Sequence, residues 1–109
     1  MKRGEIWTVS GGPGFAGKPR PALIVQSDLA EGTPSVLTCG FTTHASEDVP
    51  LRPLFMPSPG NGLDRPSNLM SEKITAIPRT RAGKRIGALS GQDMARADSA
   101  LQLVLGFAE

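Results

Sequence analysis

The sequence predicts a mainly β fold, a curved antiparallel sheet capped by one C-terminal helix. Three observations carry that expectation. Thirteen glycines and ten prolines cut the 109 residues into short pieces, the pattern of many strands joined by turns. Apolar and β-branched runs recur at strand length, too short for helices. Only after Ser90 do apolar residues fall at spacings of three and four.

The elements follow in order. Glu5 to Ser10 is the first strand candidate, closed by Gly11-Gly12-Pro13-Gly14, which opens a mobile loop to Pro19. Ala22 to Ser27 is a β-branched run and the second strand; Asp28 to Pro34 is a turn region. Ser35 to Thr42 is the third strand. Leu51 to Met56 is weaker, because Pro53 lacks an N–H and suits an edge. Pro57 to Pro66 is loop, Asn68 to Ile77 a long strand and Lys84 to Leu89 the last strand. Ser90 is a good N-cap, with Asp93 in the first turn where an acid meets the positive end of the helix. Met94, Ala97, Leu101, Val104 and Leu105 form one apolar stripe, and Gly106 is placed to end the helix. That stripe should pack on the sheet.

The chain has the length of one domain, 1–109. Such a domain buries one modest core and is short for a deep pocket, so a second copy is expected to complete a working groove. No apolar run approaches the ~20 residues that span a bilayer, and no h-region follows Lys2 and Arg3. The lone cysteine, Cys39, sits in an apolar run and is expected to be a buried thiol. These features point to a cytoplasmic protein.

Net charge is only +2, but the basic residues are unevenly placed. Lys73, Arg79, Arg81, Lys84 and Arg85 fall in a stretch with no acid between Glu72 and Asp93. Such a run can contact phosphates, or it can guard a sheet edge in solvent.

One histidine and one cysteine cannot assemble the usual metal ligand sets. The Gly-rich segment lacks the Lys-Ser/Thr of a phosphate-binding loop, and nothing marks a nucleophile elbow. No metal and no cofactor are expected. A single histidine, His44, excludes a base–acid histidine pair within one subunit. The most informative stretch is Lys18-Pro19-Arg20-Pro21. Both prolines stiffen it, and Pro21 pushes Arg20 into extended geometry. A guanidinium on rigid backbone suits a phosphate, although an arginine covering a strand edge has the same signature. Thr42-Thr43-His44 ends an apolar strand, where hydroxyls can bind phosphate or cap the loop.

Taken in order, several segments resemble the MazF/PemK family of toxin endoribonucleases. They are Arg3-Gly4-Glu5-Ile6, Lys18 to Gln26, Phe41-Thr42-Thr43, Gly62 to Ser67, Met70 to Ile77 and Lys84 to Ser90. The resemblance implies an SH3-like, CcdB-like small barrel and a homodimer. It implies metal-independent, sequence-specific cleavage of single-stranded RNA, by 2′-hydroxyl attack giving a cyclic phosphate and a 5′-hydroxyl. It implies a cognate antitoxin with an acidic, extended C-terminal segment, and DNA binding by the toxin–antitoxin complex. It carries the family's arginine onto Arg20, as phosphate stabiliser and proton donor to the leaving oxygen. The family's threonine falls on Thr42, and an acidic catalytic or recognition residue on Glu72. Lys18, Thr43, His44, Arg65, Lys73, Arg79 and Arg81 become candidate RNA contacts. The loop from Ser10 to Gly17 is shorter and less charged than in many relatives, and the acid that commonly follows the first strand is missing. Two other readings share the fold class: a CcdB-like gyrase-binding toxin, and a non-catalytic barrel that binds RNA or a partner.

Overall fold

A computed structural model describes residues 1–10, 18–44 and 51–108. Six antiparallel strands form one curled sheet: β1 (Glu5–Val9), β2 (Arg20–Ile24), β3 (Ser35–Thr42), β4 (Leu54–Phe55), β5 (Ser67–Pro78) and β6 (Ala82–Ala88). Their spatial order is β4-β5-β3-β2-β1-β6. Helix α1 (Gly91–Leu105) follows. The expected class, a mainly β half-barrel with a C-terminal helix, is the one observed. The loop expected from Gly11 lies largely outside the described residues.

Side chains alternate across the sheet with the period of two that strand geometry dictates. Ile6, Leu23, Cys39, Phe41 and Leu69 face α1 and close a core with Ala97 and Leu101. Val9, Ala22, Ile24, Val36 and Ile77 form a second cluster, with Trp7 and Met1 packed against it. Phe41 and Phe55 meet edge to face, and Arg96 of the helix lies 4.7 Å from the Phe55 ring while its Nη2 donates to the Leu54 carbonyl (2.7 Å). Cys39 is fully buried, and burial first, then the nearby Glu72 charge, pushes its thiol up to about 12. It is an inert core thiol.

Two strands depart from their expected bounds for identifiable reasons. The second strand begins at Arg20, not Ala22, because Arg20 and Pro21 already pair with Val9 and Thr8. It ends at Ile24: the Val25 amide still donates to the Leu37 carbonyl (3.1 Å), but the Val25 carbonyl accepts from Arg3 Nε (3.0 Å) and the Leu37 amide donates to the Gln26 side-chain Oε1 (3.3 Å). The fourth strand, expected over Leu51 to Met56, is only Leu54–Phe55. Leu51 has a φ of 69°, and side chains of β5 hold the approach: Ser71 Oγ donates to the Leu51 carbonyl and Asn68 Nδ2 to that of Arg52 (3.0 Å).

The helix matches its expected ends. Ser90 Oγ accepts from the Asp93 amide (3.1 Å), and Gly106 adopts a φ of 81°. The stripe is narrower than expected: Ala97, Ala100 and Leu101 are buried, whereas Leu105 is exposed. Leu105 and Phe107 instead border a cleft of about 400 Å³ beside Arg3 and Leu37. Gly62 must be glycine. Gly62 has a φ of 71°, and a Cβ there would collide with the Ile86 carbonyl.

Candidate functional site

The other face of the sheet carries a groove of about 510 Å³ opposite the helix-covered core. Four of the candidate residues line it: Arg20, Thr42, His44 and Lys73. They come from three places that only the sheet order brings together, the start of β2, the end of β3 and the middle of β5.

Arg20 enters β2 opposite Val9 and is exposed, its backbone held between two prolines. Thr42 ends β3 opposite Asn68 and is half-buried. Its Oγ1 accepts from the His44 amide (3.2 Å), which fixes the turn that carries His44 into the groove. Among the described residues the Thr42 hydroxyl proton meets no acceptor, so Thr42 offers the groove a donor. Lys73 extends from β5 as an exposed cation. The arrangement gathers a guanidinium, an ammonium, a hydroxyl donor and an imidazole around one opening, a set suited to a phosphodiester.

The remaining candidates lie elsewhere. Lys18 and Thr43 are exposed next to Arg20 and Thr42 without lining the groove. Arg65 is exposed in the connection between β4 and β5. Arg79 spends its Nε on the Thr33 carbonyl, and Arg81 is exposed in the turn before β6. Glu72 does not line the groove either. Both its oxygens accept from the Arg52 guanidinium, with Nε at 3.0 Å. The Arg52 hydrogen bonds hold its carboxyl below the usual range, against a smaller opposing effect of burial. Among the described residues, no three of His, Cys, Asp and Glu come together as a metal site would need.

Among the groove residues that sequence reasoning missed are Thr38, Gly40, Met70 and Thr75. Stepping back from Thr42 by twos would have reached Gly40 and Thr38, since alternate residues of one strand share a face. Stepping on by two from Lys73 likewise reaches Thr75, whereas Met70 could not be reached that way. The pairing of β3 with β5 slips between Cys39 and Phe41, so β5 presents extra residues there.

A curled antiparallel sheet with a cationic groove on one face and a helix on the other defines a small half-barrel domain whose open face suits a polyanion. Known proteins sharpen this. The chain belongs to the PemK-like, MazF-like toxins of type II toxin–antitoxin systems, which it matches over residues 2–105. It is 42% identical over 108 residues to the probable endoribonuclease MazF of Mycolicibacterium smegmatis, covering 99% of each chain. It is 32% identical over 114 residues to endoribonuclease MazF9 of Mycobacterium tuberculosis, covering 96% of each. A mycobacterial endoribonuclease solved in complex with its cognate antitoxin superposes with a TM-score of 0.82 at 22% identity, over 100% of this chain and 98% of that one. A MazE–MazF structure from Deinococcus radiodurans gives 0.76 at 20% identity, over 97% and 95%. At that identity the structural likeness speaks for the fold.

Proposed function

We propose that the protein is a toxin endoribonuclease that cleaves single-stranded RNA at a short sequence without a metal. The observation that carries this reading is the convergence of Arg20, Thr42, His44 and Lys73 on one groove in a chain of this family. The ribose 2′-hydroxyl is already tethered beside the phosphorus, so proximity supplies the nucleophile. The 2′-oxygen bonds to phosphorus, the bond to the 5′-oxygen breaks, and a 2′,3′-cyclic phosphate and a 5′-hydroxyl result. Arg20 and Lys73 stabilise the charge that builds on the phosphorane, and the Thr42 hydroxyl donates to a phosphate oxygen. We assign to His44 the proton that leaves the 2′-oxygen, and solvent water supplies the proton that arrives on the 5′-oxygen.

In this reading Glu72 stays outside the chemistry. With both oxygens committed to Arg52 it serves the fold. A homodimer and restraint by an antitoxin complete the proposal. Leu37, Leu105 and Phe107 are exposed around one cleft and give a second copy apolar surface to cover. An acidic, extended antitoxin segment would suit the cationic groove and could order on binding.

The test uses purified protein and synthetic RNA. Cleavage should continue in EDTA and leave a 5′-hydroxyl end. A single 2′-deoxy substitution 5′ of the cut should abolish cleavage and leave binding nearly intact. Cleavage of the deoxy-substituted strand, or a strict need for magnesium, would mean that water is the nucleophile and that the assignment is wrong.

A further inference from the structure

Inside its polar rim the groove has an apolar spot that a ligand can touch. Ala22, Thr38 and Phe41 are sealed beneath the surface, while Gly40 and Met70 are half-buried and keep open area. An irregularity of the sheet brings these two together. Phe41 pairs with Leu69 and Cys39 with Ile74, so the run from Met70 to Lys73 stands opposite the single residue Gly40. A bulge re-aims side chains, and bulges are common beside functional sites. Here the Met70 methyl lies on the bare Cα of Gly40, 3.0 Å from where a Cβ would stand.

The spot is also well placed. Gly40 is two residues along β3 from Thr42, about 7 Å at strand rise, a span that one extended nucleotide covers. With a phosphate held by Arg20 and Thr42, the base beside it reaches Met70. A thioether is polarizable and favours contact with aromatic rings. Every base offers a π-face, whatever hydrogen bonds its edge makes. The phenyl ring nearest the groove does not compete for this role, because Phe41 is buried edge to face with Phe55.

We propose that Met70, laid across Gly40 by the bulge of β5, is a stacking platform for the nucleobase next to the cleaved phosphate, and that it favours purines. This rests on the RNA-cleaving reading and deepens it. Purines present the larger ring and cover more of the thioether and its methyl. Gly40 is part of the device, since a side chain there would push the methyl off its seat.

The experiment follows isotope-labelled methionine methyls by NMR, with Met70 assigned from the peak lost in Met70→Leu. Short all-deoxy oligonucleotides of adenine and of uracil are titrated, and a sugar–phosphate strand of the same length without bases. A ring stacked on a methyl shields it. Adenine should move the Met70 peak upfield, uracil less, and the base-free strand not at all. Met70→Ala should cut the affinity advantage of adenine over the base-free strand about two- to tenfold and leave the affinity of the base-free strand alone. Gly40→Ala should act the same way, and Met70→Leu, which keeps the apolar volume, should retain most of the advantage. A Met70 peak that stays in place, or moves as far with the base-free strand, overturns the platform. So does an equal loss for both strands in Met70→Ala. The wild-type titration reads the contact directly and decides the matter even where an alanine variant fails to fold. Neither arm needs cleavage. An adenine-dependent shift in a protein that cuts no RNA leaves the platform standing and sinks the cleavage reading; cleavage without the shift does the reverse.

Discussion

Arg20 and Thr42 meet the groove as donors on backbone that the surrounding residues immobilise, Arg20 between Pro19 and Pro21 and Thr42 through the His44 amide (3.2 Å). Preorganised donors aimed at developing charge are worth most when nothing must move at the moment of reaction. Arg20→Ala and Thr42→Ala should therefore each lower the cleavage rate about 100-fold or more, with circular dichroism and melting little changed, because neither side chain sits in the core clusters. Full activity in folded Arg20→Ala protein would remove Arg20 from the mechanism. Glu72 makes the complementary case. Its carboxyl is held below the ordinary value by Arg52, so the pair stabilises the fold above the unfolded carboxylate range, and that contribution fades as pH falls through the folded value. The side chain is 30% exposed, so Glu72→Gln should cost about 1 kcal/mol or less near neutral pH. Melting curves of the two proteins should converge in acid, with the cleavage rate nearly unaffected. A rate loss as deep as that of Arg20→Ala would return Glu72 to the active site.

At the scale of elements, local chemistry was readable and tertiary chemistry was not. Ser35–Thr42 and the helix ends were legible because alternation, the Ser90 cap and the Gly106 stop are properties of neighbouring residues. Ser90→Ala should cost about 1 kcal/mol in denaturant unfolding, and a change within error would mean that packing on the sheet, not the cap, fixes where the helix starts. The short fourth strand was not legible, because Asn68 and Ser71 engage Leu51 and Arg52 across a sequence gap that no local pattern reveals. The groove divides the same way. Arg20 stood out by its flanking prolines and Thr42 by its place at a strand end. Thr75 lies two residues on from Lys73 and shares its face, Met70 enters through the register slip of β5 against β3, and the Arg52 partner of Glu72 lies twenty residues away. What pairing decides, a one-dimensional pattern does not show.

For the whole molecule, a net charge of +2 says little about a polyanionic partner, and the placement of the charges says more. The basic stretch from Lys73 to Arg85 divides once folded. Lys73 lines the groove, Arg79 is tied to the Thr33 carbonyl, and Arg85 pairs with Glu5 at 3.0 Å. Only cations that approach phosphates release counterions on binding, and each contributes about 0.7 to the slope of log affinity against log salt for a single strand. Binding of an all-deoxy oligonucleotide, followed by anisotropy between about 50 and about 200 mM salt, should separate these residues. Lys73→Ala should weaken binding and flatten the slope by about 0.7. Arg79→Ala should leave the slope alone and lower the melting temperature, because it frees the Thr33 segment from the turn that precedes β6. Equal flattening by both changes would mean that the strand runs beyond the groove and over that turn. No change from Lys73→Ala would mean that Arg20 meets the phosphate without help from β5, and that the ammonium on β5 is surface charge alone.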